Sequence, residues 1–221
     1  MADPALLVLH RATDGTLGRP GEWRFRREEA FAYVATVVLA AAGLAQLFGV
    51  AAFERWALWS PASGRFRPEQ LLSHMILHGG LIHWVLNVTS LLGLSAALAT
   101  RITDRAQLAL LVAAGFVGAC VYLSLAWGSP YPAVGASGAI CGLWGALTRM
   151  DPHSEQIRGF RDPALWGEVR RFAVTNAVLF ALLWLMTQGR GGLAWQAHLG
   201  GFLVGLVVAP WLERRRADGA L

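Results

Sequence analysis

Hydrophobic positions collect into five stretches without a charged side chain, 30–53, 70–100, 106–148, 172–189 and 191–212, of 24, 31, 43, 18 and 22 residues. A bilayer core takes about 20 apolar residues per helix, so each stretch is long enough to span. The longest is too long for one span and is broken at Trp127-Gly-Ser-Pro-Tyr-Pro132, a cluster of turn formers. Six transmembrane helices are therefore expected, over 30–52, 80–100, 106–126, 132–149, 171–188 and 193–212. No internal repeat, low-complexity tract or linker divides the chain. The expected organisation is an N-terminal tail (1–29), one six-helix membrane domain (30–213) and a C-terminal tail (214–221).

Composition agrees with this pattern. The chain is 55% hydrophobic and 15% charged, with a mean hydropathy of +0.45, whereas a soluble domain carries about 25% charged residues. The net charge of +5 does not point to nucleic acid, because its distribution follows the loops. All 19 basic residues are Arg, and 15 of them fall in the two tails and in the 101–105 and 149–171 connections. Cytoplasmic segments carry the excess of positive charge. Both termini are thus expected in the cytoplasm, and an even number of spans, which puts them on one side, agrees. Residues 1–29 hold only one short apolar stretch, Leu6 to Leu9, so no cleaved signal is expected. Cys120 and Cys141 both lie in apolar stretches and read as packing residues. Trp56 and Trp59, in the first loop, are amphipathic aromatics of the kind found at headgroup level.

The chemistry lies in the few polar residues at membrane depth. No Asp or Glu falls within an expected span, but His74, His78, His83, Asn87, Ser137 and His198 lie in or at the mouths of spans. Ionisable groups there are functional candidates. The helices beginning near 80, 132 and 193 all run inward from the extracytoplasmic face. His83, Asn87, Ser137 and His198 lie within about two turns of those starts, and so share one depth. A Ser and a His at one depth supply a nucleophile and its general base. Gly135, Gly138, Gly142 and Gly145 form a stripe beside Ser137, and Gly201 and Gly205 share a face with His198. Small-residue stripes let membrane helices approach closely.

Gly135-Ala-Ser137-Gly138, the Ala197-His198 pair followed by Gly201 and Gly205, and the segment from His74 through His78 and His83 to Asn87 resemble the signature segments of rhomboid intramembrane serine proteases. The resemblance covers roughly residues 54–212. It implies an all-α, six-transmembrane-helix rhomboid-like bundle that cleaves peptide bonds in or near the transmembrane segments of other membrane proteins. Its site would need no cofactor or metal and would face the extracytoplasmic side, most simply of a bacterial cytoplasmic membrane. Ser137 would be the nucleophile and His198 the general base. His83 and Asn87 would form the oxyanion hole, with His74 and His78 lining the site and Gly135, Gly138, Gly201 and Gly205 lining or packing it. The sequence departs from the family pattern in two places: Glu69-Gln70 stands where a Trp-Arg pair is usual, and Cys141 stands where an aromatic residue often follows the nucleophile by one turn.

Other readings are weaker. A metalloprotease with His74 and His78 on zinc would need a Glu beside the first His, where this chain has Met75. A transporter would show charged or interrupted helices at the midplane. A rhomboid-like protein that binds transmembrane helices without cutting them is the remaining alternative, since fold alone does not prove activity. The glycine-bearing 187–195 loop is expected to act as a cap over the site.

Overall fold

A computed structural model of the chain describes residues 30–47, 53–154, 156–188 and 192–212. Both tails, and residues 189–191 of the expected cap, lie outside the described residues. Six helices longer than ten residues appear among those described: α1 (Ala30–Leu47), α2 (Leu81–Leu98), α3 (Asp104–Leu125), α4 (Ser137–Arg149), α5 (Pro163–Met186) and α6 (Trp195–Leu212). Extended pairing among the described residues is limited to two isolated bridges. The fold is all-α. Helices α2, α3, α5 and α6 are each long and apolar enough to cross a membrane, while the apolar stretch of α1 is shorter, Tyr33–Gln46.

Two helix starts differ from expectation, each for a local reason. Helix α4 starts at Ser137 rather than near 132. Ala133 is held in an extended pair with Leu58, through Leu58 N–H to the Ala133 carbonyl at 2.9 Å and the reverse bond at 3.0 Å. Gly135 then turns the chain at φ 110°, a conformation that favours glycine. Helix α5 starts at Pro163 rather than 171 because Asp162 caps it, accepting the Ala164 N–H at 2.8 Å, and Pro at the first position is pre-set for a helix. Its charged first turns carry a Glu168–Arg171 ion pair at 3.3 Å. Breaking the pattern at charged residues hides two turns of helix that precede the apolar run.

Helix α4 occupies the centre. None of its residues is exposed. Its most extensive contacts are with α6, and it also packs on α3 and α2. Leu91 and Leu98 of α2, Leu110 of α3 and Leu143 and Ala146 of α4 form the main buried cluster. Outward-facing side chains are apolar too, as Val174, Val178 and Leu182 of α5 illustrate. A surface of that kind belongs against lipid or protein rather than water.

The far end of α4 is fastened by a charge. Pro210 sits inside α6 and has no N–H, which frees the carbonyl four residues earlier. That carbonyl, on Leu206, accepts Nη1–H of the buried Arg149 at 3.0 Å. The same guanidinium donates from Nε to the Arg158 carbonyl at 2.6 Å and lies 4.3 Å from the Phe160 ring centre. Satisfying a freed backbone group is worth more in an apolar setting than in water.

Candidate functional site

Glycine lets α4 and α6 meet backbone to backbone. A Cβ on Gly201 would collide with the Gly138 carbonyl, one on Gly205 with the Gly142 carbonyl, and one on Gly145 with the Phe202 carbonyl. The two stripes thus interlock along the whole contact. This brings Ser137, the first residue of α4, against His198, in the first turn of α6. The Ser137 Oγ–H donates to His198 Nε2 at 2.6 Å.

The other imidazole nitrogen has a partner that was not expected. His198 Nδ1 lies 2.6 Å from Oδ1 of Asn176 on α5. The Asn176 amide is oriented in turn by its Nδ2–H, which donates to the Phe172 carbonyl one turn back at 2.9 Å. Phe172 is buried, stacked on Phe202 of α6 at 3.8 Å and edge-on to Trp144 of α4 at 5.3 Å. Asn176 was legible in the sequence as a lone amide within an apolar helix.

His83 and Asn87 are one turn apart on α2 and face the turn that precedes Ser137. A Cβ on Gly135 would lie 2.5 Å from His83 Cε1, 2.7 Å from its Nε2 and 3.3 Å from Asn87 Nδ2. Gly135 is therefore what allows both side chains to reach this point. His83 Nδ1 accepts the Gly79 N–H at 3.1 Å, which leaves its proton on Nε2. Asn87 is 3% exposed and its Nδ2 has no hydrogen-bond partner. Two N–H donors thus converge beside the turn that leads into Ser137, one of them buried and unpaired.

His74 and His78 build the wall behind them. His74 donates from Nδ1 to the Gln70 carbonyl at 2.8 Å, and its own carbonyl accepts the Gly135 N–H at 2.9 Å. It supports the turn through its backbone. Burial holds its imidazole far below the ordinary range, at about 4, against a smaller opposing effect of the Gln70 bond. His78 is buried edge-on to His83, 5.8 Å between ring centres, and neither of its ring nitrogens has a partner. Burial, and then the neighbouring His83, lower its pKa as well. Both rings are neutral at pH 7.

Gln70 is fully buried at the position where the first loop departs from the family pattern. Its Oε1 accepts the N–H groups of Trp59 and Arg67, and its Nε2 donates to the carbonyls of Arg55 and Arg65. One side-chain amide thereby closes the loop. Trp59 is packed inside this loop, not turned outward, and donates to the Glu54 carbonyl at 2.9 Å. Cys141 is buried against the aromatic cluster around Phe172, as a packing residue should be.

No curated protein matches the sequence. The rhomboid domain model matches residues 65–215, about two-thirds of the chain, and this span includes the Ser137 turn, the His74–Asn87 segment and His198. The chain is a membrane protein and belongs to the rhomboid family.

Proposed function

We propose that this protein is an intramembrane serine endopeptidase that cleaves peptide bonds in or near transmembrane segments of membrane proteins. The observation that carries the reading is the 2.6 Å hydrogen bond from Ser137 Oγ to His198 Nε2, beside two N–H donors at the Gly135 turn. Ser137 Oγ attacks the scissile carbonyl carbon as its proton passes to His198 Nε2, and the carbonyl electrons move onto oxygen. His83 Nε2–H and Asn87 Nδ2–H stabilise that oxyanion. His198 then gives its proton to the leaving amine, and water repeats the sequence on the acyl-enzyme.

The reading includes a topology. In it, residues 1–29 and 214–221 are cytoplasmic tails and 30–213 are one membrane domain with the site toward the extracytoplasmic face, a topology supported by the Arg-rich tails and connections. A bacterial cytoplasmic membrane is the setting it fits. Reporters at both termini should read cytoplasm.

A fluorophosphonate label on detergent-solubilised protein tests the chemistry. Wild type should label and cleave a transmembrane model substrate, while Ser137→Ala and His198→Ala should do neither and still fold. Capture of the substrate without cleavage by wild type would favour instead a rhomboid-like protein that binds transmembrane helices.

A further inference from the structure

We infer that Asn176 is a positioning residue for His198, a third member of the site supplied by α5. The inference rests on the protease reading only for its consequence in catalysis; the geometry stands independently of it.

An imidazole can act as base toward Ser137 only if Nε2 is unprotonated, which requires the single ring proton to sit on Nδ1. Among the described residues, Nδ1 faces Asn176 Oδ1 at 2.6 Å. Which end of an amide faces a ring is decided by its other contacts. Here the far end of the Asn176 amide meets the Phe172 carbonyl, which can only accept, so that end must be NH2 and the end facing His198 must be oxygen. An oxygen without a proton holds the imidazole proton on Nδ1. Nε2 is then left as the acceptor for Ser137 Oγ–H. The chain of donors runs one way: Ser137 Oγ–H to Nε2, Nδ1–H to Asn176, and Asn176 Nδ2–H to Phe172.

The bond also becomes stronger when it is needed. Once Nε2 takes the Ser137 proton, the ring is a cation, and its Nδ1–H bond to Oδ1 becomes charge-assisted. Among the described residues no acid bonds the His198 ring, and the amide oxygen plays this part without adding a buried charge. The aromatic cluster explains why the amide stays in place. Phe172, one turn before Asn176, is clamped by Phe202 and Trp144, whereas most of α5 is exposed. Asn176–His198 is the side-chain hydrogen bond that joins α5 to another helix among the described residues. The family's usual aromatic neighbour is absent at Cys141. In this chain the ring is oriented by hydrogen bonding from α5.

The test compares Asn176→Leu and Asn176→Ala, which lose the acceptor, with Asn176→Asp, which keeps it, in full-length protein in detergent. Two readouts are taken: the rate of fluorophosphonate labelling, and the 15N signals of the His198 ring, assigned by their loss in His198→Gln. Wild type and Asn176→Asp should carry the ring proton on Nδ1. Asn176→Leu and Asn176→Ala should shift it wholly or partly to Nε2 and label about 10- to 100-fold more slowly, a share of what a positioned general base supplies. On a transmembrane substrate the loss should fall in kcat with KM unchanged. An unchanged tautomer and labelling rate in Asn176→Ala would overturn the inference and leave Asn176 as helix-packing polarity. A wild type that never labels, with the tautomer shift intact, would sink the protease reading and leave the positioning role standing.

Discussion

The side-chain amide of Gln46 closes a two-bond ring with the backbone of His78: Nε2 donates to the His78 carbonyl at 2.6 Å, and Oε1 accepts the His78 N–H at 2.8 Å. The end of α1 is thereby tied to the segment that carries the site histidines. Gln46→Leu would leave both backbone groups without partners in a half-buried place. The expected cost is about 1–3 kcal/mol, read as a lower melting temperature in detergent, with labelling at low temperature nearly preserved. An unchanged melting temperature would show that water replaces the amide.

Arg149 and Pro210 make a conditional pair. Arg149→Leu strands the Leu206 carbonyl that Pro210 has freed, so it should destabilise by about 1–3 kcal/mol. Combining it with Pro210→Ala supplies a backbone N–H for the same carbonyl and should recover part of that loss. A double variant no more stable than Arg149→Leu alone would mean the guanidinium acts through Arg158 and Phe160 instead.

Glycines with different surroundings should respond in opposite ways. Gly201→Ala drives a Cβ into the Gly138 carbonyl, which is backbone and cannot step aside. Labelling should be lost along with stability. Gly93 lies in α2 with open space where its Cβ would be, so Gly93→Ala should be neutral or stabilising by up to about 1 kcal/mol. Thermal melts of the two variants side by side decide the matter, and tolerance of Gly201→Ala would refute backbone contact between α4 and α6.

The donors at the Gly135 turn should be separable from the nucleophile. Asn87→Ala and His83→Ala are each expected to lower kcat about 10- to 1000-fold with KM little changed, as loss of one oxyanion donor does. A rise in KM at constant kcat would assign these side chains to substrate binding.

His74 makes the fold sensitive to acid. Its folded pKa of about 4 lies below the ordinary 6.5, so unfolded chains bind the proton first. Stability should be full above pH 6.5 and fall as pH drops toward 4, by up to about 1.4 kcal/mol per pH unit. Melting temperatures between pH 7 and 5 measure this. His74→Gln should flatten the slope, and an unaltered slope would move its cause to other groups.

Depth was the legible part of the site. Ser137, His198, His83 and Asn87 could be placed at one level because each follows the start of an apolar run that enters from the same side. The glycine spacing marked which helices touch. Side-chain amides with distant partners left no such trace. Gln46, Gln70 and Asn176 meet partners 32, 15 and 22 residues away, and no periodicity links them. The ends of α4 and α5 were hidden for a related reason: one is set by a cross-loop pair at Ala133 and the other by a cap in a charged segment.

The enclosure of α4 sets Ser137 back from the outer, lipid-facing helices. At 13 residues, α4 rises about 20 Å, well short of the roughly 30 Å hydrocarbon core, and its side chains are buried or half-buried, none of them exposed. A thicker or thinner bilayer acts by tilting or stretching helices that touch acyl chains. It therefore pulls on the outer helices, while α4 and the part of α6 locked to it move as one body. Changes in acyl-chain length should alter how often a substrate arrives at Ser137, leaving the proton transfer to His198 as it is in any membrane.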